Sequence, residues 1–180
     1  MYLNHNQIID ELLRGHIRNV DHDCINTASL DVRLGNSILV ETINGSGEVD
    51  YSLRQKMSMT EVNIPAEGIL IQPGQFFLAH TLEVCNFPDD LAALFRIKSS
   101  MGRIGLEHMD AGWIDPGFHG SLTLEFKNMT NYHCIRLRPG DRIGQLIFFK
   151  GQAVSAEQSY RTTGNYNGHE GIAQVRYKEK

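Results

Sequence analysis

Three Pro-Gly pairs, which recur from residue 72 onward, constrain the fold of this chain more than any other feature. They lie in Q-P-G-Q at 72–75, D-P-G-F at 115–118 and R-P-G-D at 138–141. Proline presets the first central position of a turn, and glycine supplies the positive φ at the second. Each pair precedes a strand-like run: F-F-L-A-H-T-L, S-L-T-L-E-F and I-G-Q-L-I-F-F. Many short strands separated by turns indicate an all-β sandwich or barrel.

The N-terminal part of the chain begins with a helical pattern and then changes period. Apolar residues at helical spacing predict one short helix, which Asn4 or Asn6 can cap and Gly15 can end; they are Ile8, Ile9, Leu12 and Leu13. In A-S-L-D-V-R-L-G, apolar residues from Leu30 to Leu34 alternate with polar ones and predict a half-buried strand. N-G-S-G at 44–47 predicts a loop between strands.

Length and charge narrow the class of protein. A chain of 180 residues fits one domain, 1–180. Its 17 Lys and Arg against 21 Asp and Glu give a net charge of −4, which argues against sequence-independent binding to nucleic acid. Three widely spaced cysteines predict reduced thiols. With neither a signal-peptide pattern nor a membrane-length apolar run, we expect a cytoplasmic protein without a membrane partner.

The segment from about Gly151 onward has a different composition. It is polar and glycine-containing and has no apolar periodicity. Two interpretations stay open: a frayed tail, or a flexible arm that closes over a ligand. Glycine-rich polar segments can wrap phosphate groups with backbone N–H groups.

The run F-R-I-K-S-S-M-G-R-I-G-L at 95–106 concentrates donors for anionic oxygens. These are Arg96, Lys98, Ser99, Ser100 and Arg103. Such a set suits a di- or triphosphate, although a polar surface loop has the same composition and the Walker A spacing is absent. Zinc-deaminase, H-E-x-x-H and G-x-S-x-G motifs are absent too, so a zinc or serine hydrolase is not expected. We expect each histidine to be a surface or hydrogen-bonded core residue.

Two carboxylates in the run A-G-W-I-D-P-G-F-H-G-S-L-T-L-E-F-K-N raise a question about their role. Asp115 opens a D-P-G turn, and Glu125 lies in mid-strand on the face opposite Leu122 and Leu124. They can be a turn former and a solvated strand residue, or both can face a substrate.

Several segments together resemble the dCTP deaminase family, which is related to trimeric dUTPases. They are K-S-S-M-G-R-I-G-L, the A-G-W-I-D-P-G-F-H-G-S-L-T-L-E-F-K-N run, L-R-P-G-D-R-I-G-Q-L-I-F and, near the N-terminus, S-L-D-V-R-L-G. Their order and spacing match, and the resemblance covers essentially the whole chain.

The resemblance implies a mainly β, distorted-barrel or jelly-roll-like fold of the dUTPase type, assembled as a homotrimer with active sites between subunits. It implies metal-independent deamination of dCTP, with Mg²⁺ bound only through the triphosphate. Glu125 would be the general acid and base, and Ser99 and Arg103 would hold the water and the tetrahedral centre. The implied nucleotide contacts are Lys98, Ser100, Ala111, Asp115, Thr123, Leu124 and Tyr160.

The sequence departs from the family pattern at three positions. Ile97 stands where glycine is common, and Asn165 and His169 replace a lysine and a glutamine that contact the phosphates. The main expectation is deamination of dCTP to dUTP and ammonia. The first alternative is a dUTPase or a bifunctional enzyme that releases dUMP and pyrophosphate, with Asp115 orienting a water toward the α-phosphate. The second is a non-catalytic binding module, for which Asn165 and His169 are the only support.

Overall fold

The computed structural model describes residues 1–43 and 47–177, and strands dominate them. The helices are α1 (His5–Leu13), α2 (Ser99–Arg103) and α3 (Tyr160–Thr163), with a 3₁₀ turn at His22–Cys24. The strands are β1 (Ile17–Arg18), β2 (Leu30–Glu41), β3 (Met59–Asn63), β4 (Ile69–Ile71), β5 (Phe76–Asn86), β6 (Leu91–Ile97), β7 (Leu106–His108), β8 (Trp113–Ile114), β9 (His119–Asn128), β10 (Ile135–Leu137) and β11 (Arg142–Lys150). The predicted fold class, mainly β with a short N-terminal helix, is confirmed.

Nine strands form one antiparallel sheet, in the order β7-β9-β5-β2-β11-β6-β8, with β1 added to β5 and β3 added to β2. Strands β4 and β10 form a separate pair. The first half of β2 pairs with β11, and its second half pairs with β5 and β3. Because one long strand serves both halves, the sheet curls around a core that includes Phe77, Phe95 and Phe126.

The local predictions near the N-terminus are mostly confirmed. Asn4 caps α1 and forms a capping box with Gln7, and Gly15 adopts a positive φ just after the helix. The strand around Leu30 exists, but its polar face is not solvated: Asp31 is 1% exposed, because β11 and the side chain of Lys98 cover it. The loop predicted at 44–47 lies, except for Gly47, outside the described residues.

All three Pro-Gly turns form as predicted. Gly74, Gly117 and Gly140 have φ values of 76°, 84° and 85°. In each turn the N–H after the glycine donates to the carbonyl three residues earlier, at 3.1–3.2 Å. The positive φ is what glycine permits at little cost, so these turns end one strand and start the next where the pattern requires.

The sheet bends at Gly35, where two strands approach closely. The pairing register shifts between Leu34 and Ile38 on β2, and between His80 and Val84 on β5. A Cβ on Gly35 would overlap the imidazole of the buried His80, so the ring would have to shift within the packed interior. Glycine avoids this overlap at the bend.

The mutation Gly35→Ala is expected to lower the free energy of unfolding by about 1–3 kcal/mol, the usual cost of overpacking. Denaturant titration of both proteins measures the difference. Gly151→Ala is the matched control, because a Cβ there would meet no atom within 4 Å. Equal midpoints for the wild type and the Gly35 variant would contradict this interpretation of the bend.

No helix of the described residues has the length and apolar character required to cross a membrane. The cysteines of the structure are free thiols, with Cys24 and Cys85 buried and Cys134 exposed.

Candidate active site

A cavity of about 610 Å³ opens beside β9, and four segments of the chain line it. They are the middle of β9 at 121–125, the stretch from Ala111 to Phe118, the residues Val49 to Met59, and the C-terminal segment from Tyr160 to Tyr177, and Leu78 and Phe95 add to the lining. Of the residues predicted to form the site, the cavity brings together Ala111, Asp115, Thr123, Leu124, Glu125, Tyr160 and His169. A cavity of this size suits a small organic ligand.

Glu125 lies in the middle of β9 with its side chain 32% exposed. Its Oε2 atom is buried and has no hydrogen-bond partner among the described residues. Burial raises the pKa of this carboxyl above its ordinary value, because water no longer stabilises the charge. A carboxyl whose pKa is raised in a cavity is suited to take up a proton and return it during a reaction.

Asp115 is exposed at the D-P-G turn and lines the same cavity as Glu125. Its Oδ1 accepts a hydrogen bond of 2.9 Å from the indole N–H of Trp113. The Tyr160 ring packs against Phe118 with the ring centres 5.7 Å apart, and burial raises the pKa of the Tyr160 hydroxyl. The hydrogen bond from Trp113 thus orients Oδ1 of Asp115, while Oδ2 takes no part in that hydrogen bond.

The C-terminal segment runs along β9 and closes one side of the cavity. The N–H of Ser121 donates to the carbonyl of His169 at 3.0 Å, and the N–H of Ala173 donates to Oγ1 of Thr123 at 2.9 Å. Leu124 is 2% exposed and belongs to the core below. Asn165 is exposed and does not line the cavity. That the segment moves, as an arm from about residue 151, stays a prediction.

The residues of the 95–106 run lie elsewhere. Ser99, Ser100 and Arg103 belong to α2, are exposed, and do not line the cavity. Their side chains have no hydrogen-bond partner in the described part of the chain. The ammonium of Lys98 lies 2.5 Å from Oδ2 of the buried Asp31, so within this chain it has a structural partner.

The charged side chains that line the cavity, among the described residues, are acidic. Among its lining residues, over the described ranges, there is no lysine and no arginine, whereas Asp115 and Glu125 are both present. A polyphosphate would meet carboxylates without compensating cations, which is unfavourable in a partly buried site.

Sequence reasoning missed several residues of the site. His108 was expected to be a surface or hydrogen-bonded core residue, and it is buried with Nδ1 accepting a hydrogen bond from the N–H of Asp110. The sequence did not indicate that its Nε2 lies 3.6 Å from Oε2 of Glu125. Trp113 and Tyr166 also line the cavity. No sequence signal marks the stretch from Val49 to Met59 as part of the wall, because it approaches only through the fold.

Comparison with known proteins gives consistent results. A family model described as dCTP deaminase-like matches residues 2–151. A protein of Methanospirillum hungatei named "dCTP deaminase, dUMP-forming" is 36% identical, over 96% of this chain and 94% of its own length. A protein of Rhodococcus opacus with the same name is 40% identical, over 95% of this chain and 93% of its own length.

A solved structure also shares the fold. The crystal structure of 2'-deoxycytidine 5'-triphosphate deaminase from Agrobacterium tumefaciens superposes with a TM-score of 0.68 at 24% identity, over 87% of this chain. The chain spans half the length of that protein. The expected barrel-like architecture is thereby confirmed.

Proposed function

The chain belongs to the dCTP deaminase-like family, and from that premise we propose that it converts dCTP to dUMP, ammonia and pyrophosphate by using two molecules of water. The observation that carries the proposal is the carboxyl of Glu125 in a cavity of about 610 Å³, where its buried Oε2 has no hydrogen-bond partner among the described residues. Support comes from relatives that are 36–40% identical over nearly their whole length and are named dUMP-forming.

The expectation that dUTP is the released product is wrong. The relatives from M. hungatei and R. opacus are named for dUMP formation, which is the outcome of the bifunctional alternative. The expectation of dUTP relied on Glu125. This residue indicates removal of the amino group, but it does not indicate whether the triphosphate is hydrolysed as well. Asp115, in a turn of the same cavity, supplies a second carboxylate for the second hydrolysis.

Glu125 would act at C4 of cytosine. Its carboxylate would take a proton from the attacking water and pass protons to the leaving amine, so that ammonia departs. Ser99 and Arg103 would stabilise the charge of the tetrahedral centre, a contribution of about 3–4 kcal/mol for one well-placed donor. Ala111, Thr123 and Leu124 would frame the base, Asp115 would contact the sugar, and Tyr160 would help to bind the nucleotide.

Asp115 would orient the second water toward the α-phosphate, so that pyrophosphate leaves. Its Oδ1 is already engaged by the Trp113 indole, which would direct the remaining oxygen to the water. Lys98, Ser100, Asn165 and His169 stay candidates for phosphate contacts, and Lys98 would have to do so while it is paired with Asp31.

We further propose that the active unit is a homotrimer, with Ser99 and Arg103 of one subunit completing the cavity of the next. The support is that α2 is exposed and unpartnered while the cavity, over the described ranges, lacks lysine and arginine. A cyclic assembly supplies such a contribution to every site in the same way.

Mg²⁺ would enter with the triphosphate. Among the described residues, no three acidic, histidine or cysteine side chains are grouped so as to hold a metal ion. Because Mg²⁺ takes six oxygen ligands, phosphate and water oxygens would supply most of them. The ion would shield phosphate charge.

The products test the proposal. With dCTP and Mg²⁺, we expect ammonia, pyrophosphate and dUMP to appear in equal amounts from the first turnover, as measured by nucleotide chromatography and separate ammonia and pyrophosphate assays. In a second experiment, labelled dCTP is mixed with an excess of unlabelled dUTP. The label should pass from dCTP to dUMP without entering the pool of free dUTP. Accumulation of free dUTP as the end product would contradict the proposal.

A further inference from the structure

Two buried polar atoms without hydrogen-bond partners face each other beside the cavity. His108 ends β7, and its side chain is 4% exposed. Its Nε2 lies 3.6 Å from Oε2 of Glu125, and neither atom has a hydrogen-bond partner among the described residues. Most buried polar atoms in proteins are hydrogen-bonded, so two unpartnered atoms that face each other call for an explanation.

The other ring nitrogen determines where the imidazole carries its hydrogen. The backbone N–H of Asp110 donates to Nδ1 of His108 at 3.2 Å. A ring nitrogen that accepts a hydrogen bond carries no hydrogen, so the neutral ring has its N–H at Nε2. Burial lowers the pKa of His108 and so favours the neutral ring.

The local backbone is shaped for this contact. Asp110 adopts a φ of 60°, which is uncommon for a residue other than glycine, and its carboxylate pairs with the guanidinium of Arg96. The ring of His108 packs between those of Phe95 and Phe126, with centres 4.6 and 5.5 Å away. The imidazole is thus held in one orientation, with its N–H toward Glu125.

We propose that His108 is a positioning residue for Glu125: its Nε2–H donates to Oε2 and leaves Oε1 to exchange protons with water and the amine. This inference rests on the proposed deamination. A distance of 3.6 Å is too long for a hydrogen bond, but such contacts are often long without substrate and tighten when it binds. A donor on one oxygen restricts rotation of the carboxyl, which matters for a group that must act twice in one turnover.

The contact also affects when Glu125 is ionised. A donor stabilises the carboxylate and opposes the rise in pKa that burial causes. The charged groups near His108 are Arg96 from β6 and Glu107 and Asp110 from its own segment. On β9, Lys127 pairs in register with Glu107. Loss of the His108 donor is therefore expected to raise the pKa of Glu125 further.

The test is made first on the protein without nucleotide, so that it does not depend on activity. Nitrogen NMR of labelled histidine should show His108 with its hydrogen on Nε2. Carbon NMR of labelled glutamate carboxyls should show Glu125 titrating at higher pH in His108→Phe than in the wild type. His108→Gln, which keeps a side-chain N–H donor and replaces the ring, should restore most of the difference. A hydrogen on Nδ1, or an unchanged titration in both variants, would overturn the proposal.

Kinetics then connect the contact to catalysis. We expect His108→Phe to lower kcat for ammonia release at least tenfold with KM changed less than threefold, and to move the acidic limb of the pH profile to higher pH. His108→Gln should lie near the wild type. If the wild type itself releases no ammonia, the proposed function fails while the NMR result still stands. If kcat and the pH profile are unchanged in both variants, the positioning role fails and the proposed function survives.

Discussion

Glu125→Gln is expected to lower the rate of ammonia release from dCTP by about 10²–10⁴-fold, the contribution typical of a general acid–base group. The amide has nearly the same shape but neither accepts a proton from water nor returns one. Because the rest of the cavity wall is unaffected, the variant should still bind dCTP, which calorimetry or equilibrium dialysis measures. Pyrophosphate release from dUTP, which does not need a base at C4, should be affected far less.

Two controls separate chemistry from folding. Glu67→Gln makes the same change at an exposed loop residue and should leave both activities unchanged. Burial raises the pKa of Glu125 in the folded state, so its contribution to stability is greatest at low pH and falls as the pH rises through that pKa. At pH 8, therefore, Glu125→Gln should unfold at the same or a higher denaturant concentration than the wild type. Ammonia release near the wild-type rate would refute the role of Glu125.

The second large expected effect concerns mixed assemblies of the proposed homotrimer. We regard Arg103 and Glu125 as the two halves of each site. A protein made only of Arg103→Ala chains, or only of Glu125→Gln chains, should be nearly inactive, because every site then lacks one half. If the halves come from different subunits, random mixing after denaturation and refolding should restore about a quarter of the wild-type activity, because each half is intact with a chance of one in two in a cyclic assembly.

The geometry explains this recovery. Arg103 is exposed on α2 and does not line the cavity of its own chain, whereas Glu125 does. Mixing either variant with itself is the control and should restore nothing. If both halves came from one chain, every site in the mixture would lack one residue. No recovery from a mixture that forms mixed trimers, as shown with tagged subunits, would therefore place the site within one subunit.

The strand and turn framework could be predicted from sequence because it depends on local geometry. The Pro-Gly turns require only that proline fixes φ and that glycine tolerates a positive φ, and both conditions hold in the isolated chain. Asn4 and Gly15 mark the ends of α1 for the same reason. The sequence also indicated Glu125 and Asp115, because carboxylates in a strand and a turn of this pattern resemble a known site.

Other features depend on contacts between distant segments. Asp31 looked like an outward residue of an alternating strand, yet it is buried because Lys98, 67 residues away, covers it. His108 lies beside Glu125 only because β7 pairs with β9. The stretch from Val49 to Met59 joins the cavity wall by a similar long-range approach.

By itself, then, the sequence determined the β architecture, the turns, the first helix and the two carboxylates, since each depends on the conformational preferences and chemistry of a few adjacent residues. Only the tertiary structure decided which strand faces are buried and which histidine faces the carboxyl of Glu125. It also decided that the described residues that line the cavity include no lysine and no arginine. The physical reason is that burial and pairing depend on strands distant in sequence, whose approach no local pattern encodes.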